Sequence, residues 1–516
     1  MLPDDVLLDI FDFYVDKDFE EWITLAHVCR RWRSVVFQSP HRLNLRLVCT
    51  HKTRVRDTLD VVWPSLPLII RHAENIKDGP SCVDNTIAAL ERNDRVCQIG
   101  LDCLRSSLEY VTNSAMQKPF PELTDLHLSM VDNSGPILRI PDSFLGGTAP
   151  RLRSLDLSNV LFPGLPKLLL IATRLVNINL DLYSIPRSGY ITPEAIATSL
   201  SALTSLESLC LLFRYPQSRL ALESRRPPPP PLTRSILPSL TKIRFKGTSK
   251  YLEEILARSD APRLNEFHIT FFNQIIFDTP QLFQFISRRP TLRALTEGRI
   301  TFSSRAIVVR FTSRISDRRV LSVKIPCDAS EWQLSSLEQV CTPSLPPLSA
   351  LEDLYIFEDG AFARRWQGGI ENTLWLDLLR SFVAVKNFYL SDKFVPRIAP
   401  ALQELFGGRT TEVLPALEKI FLVGFQLSGP LHKDIEKFVA ARRLTGHPVA
   451  VSRQKQSGEL DYPVLLNNLL QGHRNGNLTP HFQYVMTGEG LDGNVTHFAT
   501  AKCEHSAIER NAWLFN

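Results

Sequence analysis

One spacing of apolar residues recurs down most of the chain: a residue, its third neighbour and its fifth. It appears at Val96/Ile99/Leu101, Leu123/Leu126/Leu128, Leu152/Leu155/Leu157, Leu175/Ile178/Leu180, Leu206/Leu209/Leu211, Leu240/Ile243/Phe245 and Leu264/Phe267/Ile269. It continues at Val320/Val323/Ile325, Leu351/Leu354/Ile356, Val385/Phe388/Leu390 and Leu417/Ile420/Leu422. A degenerate copy at Leu292/Leu295 has Glu297 in the third slot, and starting positions are mostly 23 to 34 residues apart. The final step of two residues is the period of a strand with one face buried. Prolines open several copies, as in PELTDLHL, PRLRSLDL and PALEKIFL. Helical stretches are expected between strands, for example over 191–203 and 250–260.

A strand followed by a helix, repeated at this period, is the pattern of a leucine-rich repeat. One such unit cannot bury its apolar side alone, so neighbours must stack and share a core. The expected fold class is α/β: an irregular leucine-rich-repeat-like solenoid, or horseshoe, over 96–452. The residue between the second and third apolar positions points away from the core. Those residues are Gly100, His127, Asp156, Asn179, Cys210, Arg244, His268, Lys324, Tyr355, Tyr389 and Phe421. Arg and Tyr are over-represented in binding hot spots. Arg244, Tyr355, Tyr389 and Phe421 are therefore the candidate contacts for a protein target, with the late aromatics as the anchor.

The first forty-five residues read differently. Leu2, Val6, Ile10 and Phe11 share a helical face, with Leu7 and Leu8 beside it. Pro3, Asp4 and Asp5 suit a helix N-terminus. A second helix is expected to start near Asp18, with apolar residues Trp22, Leu25, Ala26, Cys29 and Trp32, and Ser39-Pro40 ends a third piece. Helices this short cannot form a stable unit alone.

LPDDVLLDIFDFYVD followed by WITLAHVCRRWRSVVFQSP resembles an F-box. Leu2-Pro3, Ile10-Phe11, Val28-Cys29, Trp32-Arg33 and Ser39-Pro40 stand where that motif has its fixed elements. His41 and Arg42 depart from the Leu-Trp pair that often follows it. The resemblance implies docking on a Skp-type adaptor, and through it on a cullin-RING ligase. It implies that Leu2, Pro3, Leu7, Ile10 and Phe11 enter the adaptor groove, supported by Val28, Cys29 and Trp32. Stretches such as SGYITPEAIATSLSALTSLESL and GGRTTEVLPALEKIFL extend it to a large fungal family of F-box proteins with degenerate repeats, over about residues 1–452. The expected organisation is an F-box at 1–45, a connecting segment at 46–95, the solenoid at 96–452, and a linker with a small α+β tail at 453–516.

Composition narrows the function classes. Net charge is +5 with 59 basic and 54 acidic residues, which does not describe a dedicated nucleic-acid surface. The 9 cysteines are scattered with no CxxC pair, as suits a reducing compartment, cytosol or nucleus. Aspartates occupy the place of a signal peptide's basic residues, and no apolar run is long enough to span a membrane. No G-x-S-x-G, H-E-x-x-H or P-loop occurs, so no catalytic residue, cofactor or metal is expected. Gly488 to Gly493 satisfy G-x-G-x-x-G without a following helix. Arg225, Arg226 and the prolines 227–231 read as a stiff inter-repeat loop or, alternatively, an SH3-type ligand. The tail resembles the front of a double-stranded-RNA-binding domain but lacks its closing basic helix. The expected function is the substrate-recognition subunit of a ubiquitin ligase. The alternatives are a ligase-independent repeat scaffold and an RNA-associated protein acting through its tail.

Overall fold

The computed structural model describes residues 2–15, 21–39, 43, 45–51, 55, 66–74, 83–132, 138–182, 191–213, 234–272, 277, 279–303, 305–314, 316–327, 330–341, 345–358, 372–405, 407–424 and 433–454. The prolines at 227–231 and the tail with its glycine motif lie outside the described residues.

Three helices open the chain: α1 (Asp4–Val15), α2 (Glu21–Val28) and α3 (Arg30–Gln38). Cys29 separates the last two. Its extended backbone breaks the helix, and its Sγ accepts the Trp32 N–H at 3.4 Å as the cap of α3. Leu7, Leu8, Phe11, Trp22, Leu25, Val35 and Val36 close a small core together with Leu43, Leu45 and Leu66. The Trp22 indole N–H donates to the Arg46 carbonyl at 3.0 Å. The short helices are thus completed by the adjoining chain.

The strands are β1 (Leu47–Thr50), β2 (Leu68–Ala73), β3 (Val96–Cys103), β4 (Asp125–Met130), β5 (Leu138–Arg139), β6 (Ser154–Ser158), β7 (Val160–Leu161), β8 (Asn177–Leu182), β9 (Ser208–Phe213) and β10 (Ser235–Ile236). They continue with β11 (Lys242–Gly247), β12 (Ser259–Asp260), β13 (Glu266–Phe271), β14 (Glu297–Phe302), β15 (Ala306–Ser313), β16 (Ser316–Pro326), β17 (Asp353–Glu358), β18 (Asn387–Ser391), β19 (Lys419–Val423) and β20 (Ala450–Gln454). Among the described residues one 16-stranded sheet runs β1-β2-β3-β4-β6-β8-β9-β11-β13-β16-β15-β14-β17-β18-β19-β20. Every pairing in it is parallel except those of β15. β5/β7 and β10/β12 form two short satellites.

The repeat pattern is wired the same way along the array. The first-slot leucine closes a turn by donating to the carbonyl three residues back, as at Leu123, Leu152, Leu175, Leu206, Leu240, Leu264 and Leu417. The carbonyl just after that slot takes two N–H groups of the next repeat: Thr124 from Arg153 and Ser154, Arg153 from Val176 and Asn177. Lys386 repeats this far along the chain, accepting from Glu418 and Lys419. Second- and third-slot side chains point inward and form one continuous core with the helices. The two stretches read as helical contain helices at Pro193–Leu200 and Ser249–Arg258, each capped by a threonine hydroxyl, Thr192 and Thr248. Among the described residues no helix is long and apolar enough to cross a membrane.

Three expectations need correction. The sheet begins at Leu47, inside the segment expected only to connect. Register places His72 opposite Leu101, so a histidine holds the third slot of β2, and one repeat earlier His51 follows β1. The two imidazoles stack at 5.3 Å, a polar ladder where later repeats carry apolar residues. The Val320 copy is misframed by two residues, because Phe267 and Ile269 pair with Leu321 and Val323. β16 is long because it also pairs antiparallel with β15, and its alternation fits two frames. The degenerate copy is misframed by three: Leu354 and Ile356 pair with Gly298 and Ile300. Gly298 has no side chain because a Cβ there would lie 2.9 Å from Leu351 Cδ2.

Candidate interaction surfaces

The helix α1 is apolar on two sides. Leu7, Leu8 and Phe11 face the small core, while Leu2, Val6, Ile10 and Phe13 stand exposed at 52%, 40%, 47% and 79%. With Leu2 just ahead of the helix, their spacing forms one stripe along it. Val28, at the end of α2, is exposed at 56%. Arg31 on α3 fixes the start of α1, pairing with Asp4 at 2.6 Å and donating to the Leu2 carbonyl. An apolar stripe on a pinned helix suits a groove in a partner.

The second surface is the sheet face opposite the core. Read by register, its central row runs Arg71, Gly100, His127, Asp156, Asn179, Cys210, Arg244, His268, Ser322, Arg310, Arg299, Tyr355, Tyr389, Phe421 and Ser452. In the flanking rows Asp102, Asp125 and Asp181 join Asp156 on the early strands, while the middle strands carry both signs, Lys242, Lys246 and Lys324 with Glu266, Glu297 and Asp353.

His127 lies between two of the aspartates, with Nε2 3.0 Å from Asp102 Oδ1 and Nδ1 3.2 Å from Asp156 Oδ2. Burial alone would lower its pKa, but the hydrogen bonds to Asp102 and Asp156 raise it to about 10. Burial raises Asp181 to about 7, against the pull of Lys246. Further on, hydrogen bonds from His268 and Lys242 bring Glu266 down to about 2.

The late strands carry a ladder of rings. Tyr355 and Tyr389 stack at 4.1 Å with planes 9° apart, and Tyr389 and Phe421 at 4.5 Å with planes 8° apart. The Arg299 guanidinium lies 5.5 Å from the Tyr355 ring centre and 6.0 Å from that of Phe357. Burial places the Tyr355 hydroxyl above its ordinary range.

His72, Glu74 and Cys103 offer metal-capable atoms within 4.8 Å of one another, all buried. His72 and Glu74 have other work. The Glu74 carboxylate accepts from the Leu104 N–H and the Ser107 hydroxyl, both at 2.8 Å, and so caps the helix Arg105–Ser114. His72 Nδ1 meets the Thr86 hydroxyl at 2.8 Å. Burial pushes the Cys103 thiol above its ordinary range.

Residues 1–43 match the family model described as F-box-like. The chain opens with an F-box-like domain. Behind that domain runs a leucine-rich-repeat-like solenoid. Among solved structures the chain is similar to the leucine-rich repeat-containing protein LegL7 from Legionella pneumophila. That protein is 14% identical, the match covers 72% of this chain and 96% of that chain, and the TM-score is 0.26. A comparison with curated proteins finds no match.

Within the F-box-like domain the expected adaptor residues divide in two. Leu2, Pro3, Ile10, Val28 and Cys29 are exposed, whereas Leu7 and Phe11 are buried in the domain's own core. Trp32 is half-buried, its ring 4.8 Å from Phe11. Leu7 and Phe11 therefore shape the helix from behind and present no surface to a groove. Val6 and Phe13 belong to the exposed stripe. Val6 was already on the Leu2 face by spacing, and the same spacing could have found Phe13. On the sheet, Arg244 and the three rings share one row, as the pattern implied. Arg299 and Arg310 join it through the β14–β16 insert, where the triplet loses its frame.

Proposed function

We propose that this chain is the substrate-recognition subunit of a Skp–cullin–F-box ubiquitin ligase. The observation that carries the reading is the exposed stripe of Leu2, Val6, Ile10 and Phe13 on a domain matching the F-box-like model. Such a stripe supplies apolar anchors for an adaptor groove, with Pro3 and Val28 at its margins. The solenoid then binds the target through its open sheet face and performs no chemistry itself. A subunit with this role works in the cytosol or nucleus. Affinity purification of the full chain should recover a Skp-type adaptor and a cullin in stable complex. Recovery of neither would leave a repeat scaffold that works without a ligase.

A further inference from the structure

Three arginines share one carboxylate where two successive helices end. Arg234 stands just ahead of β10, Asp260 lies in its partner strand β12, and Arg288 and Arg289 follow the helix Pro280–Ser287. Arg289 Nη2 donates to Asp260 Oδ1, and the Arg289 side chain is almost wholly buried. It also donates to the Arg288 carbonyl at 3.3 Å and lies 4.4 Å over the Phe285 ring. Arg234 is exposed, and its Nε donates to the Ala257 carbonyl at 3.1 Å, at the end of the helix Ser249–Arg258. Arg288 has no comparable acceptor. Its Nε is 3.9 Å from the Asp260 oxygen that Arg289 already holds. Among the described residues its buried Nε and Nη2 have no hydrogen-bond partner. Burial and the like charges of Arg234 and Arg289 hold its pKa below the ordinary arginine value, against the pull of Asp260. Arg258, close by in the chain, is paired separately, with Glu194 at 3.5 Å.

We infer that Arg234 and Arg288 form a binding site for a phosphate monoester dianion. Three guanidinium charges against one carboxylate leave a surplus of two, which a dianion balances. A guanidinium presents five N–H groups in a planar fork that suits phosphate oxygens taken in pairs. Arg288 brings a fork without a protein acceptor, and Arg234 brings the donors beyond its Nε. Buried N–H groups of a charged side chain are costly to leave unpaired, so they call for an acceptor. The Arg288 side chain is 30% exposed, so an anion from solvent reaches it. Arg289 is a positioning residue: it occupies Asp260 and so leaves Arg288 to the ligand. The β10/β12 pair is a sheet of its own, separate from the 16-stranded sheet whose face is assigned to the target. The site therefore adds a ligand to that reading and does not rest on it.

Calorimetric titration of the full chain with inorganic phosphate, inorganic sulfate and a phosphoserine peptide, at fixed ionic strength, tests this. Each should bind at one site. Arg288→Gln with Arg234→Gln should weaken each by roughly tenfold or more, the scale of lost charge-assisted pairs, and leave Tm unchanged. Arg288→Gln alone serves if the double variant melts early. The phosphoserine peptide should bind about tenfold more tightly at pH 7 than at pH 5, because its second proton leaves near pH 6. Sulfate, a dianion at both pH values, should bind equally at both. The peptide binding more tightly than inorganic phosphate assigns the site to a phosphorylated protein segment, and the reverse assigns it to a free phosphate compound; both orders support the shared chemistry. No binding at millimolar phosphate, or binding unmoved by the arginine variants, overturns the inference. So does a phosphoserine affinity that is equal at the two pH values.

Discussion

Among the described residues Arg442 is one of the large polar side chains committed to the interior. It is completely buried, and its guanidinium donates to the carbonyls of Thr410 at 2.9 Å, Leu414 and Leu417 at 3.3 Å, and Pro415 at 3.4 Å. These carbonyls belong to the turn that leads into β19. Arg442→Met should cost about 3 kcal/mol in chemical denaturation, because it strands several buried acceptors at once. A loss under about 0.5 kcal/mol would mean that the turn finds other donors. His127 makes a second residue-scale test. Its pKa is raised in the fold to about 10, so its contribution is complete below its ordinary value of 6.5 and is lost as pH rises towards 10. His127→Gln should therefore lower the melting temperature more at pH 6 than at pH 10. Equal losses at the two pH values would contradict the charged bridge. Neither role was legible in the sequence. Arg442 reads as one more surface arginine on a helix, and the partners of His127 lie a repeat away on either side.

At the scale of elements, the i, i+3, i+5 triplet located the strands wherever all three slots were apolar, although at Val320 it fell two residues out of frame. It failed where another constraint held a slot. In β2 that constraint is the stacked histidine pair, and in β14 it is the Leu351 side chain, which fills the space beside Gly298. The antiparallel excursion through β15 was invisible because no triplet marks β15, and the copies on either side of it, at β14 and β16, are the ones that lost their frame. Gly298→Val should cost about 1–3 kcal/mol through overpacking, and Leu351→Ala in the same chain should recover part of that loss. Simple additivity of the two costs would show that the two positions do not compete for space. The helix α1 teaches the converse. Its apolar residues were legible, but their division between core and surface was not. Spacing of three and four alone cannot say which of two apolar stripes faces the partner.

At the scale of the molecule, the order of parts comes from a resemblance at the first forty residues and a pattern behind it: an F-box-like domain, then a repeat array. The first strands of the array were hidden by polar residues in apolar slots. The sheet face carries aspartates early, residues of both signs in the middle and stacked rings late; the row of rings was legible from spacing, whereas Arg299 and Arg310 enter it only through register. The proposed attachment to a ligase rests on the exposed stripe of α1. Val6 and Ile10 are exposed, so Val6→Asp with Ile10→Asp should leave the melting temperature unchanged while the full chain loses its Skp-type adaptor on co-purification. Leu7→Ala, by contrast, should lower the melting temperature, since Leu7 lies in the domain's core. Adaptor recovery at the wild-type level from the folded double variant would contradict attachment through this stripe.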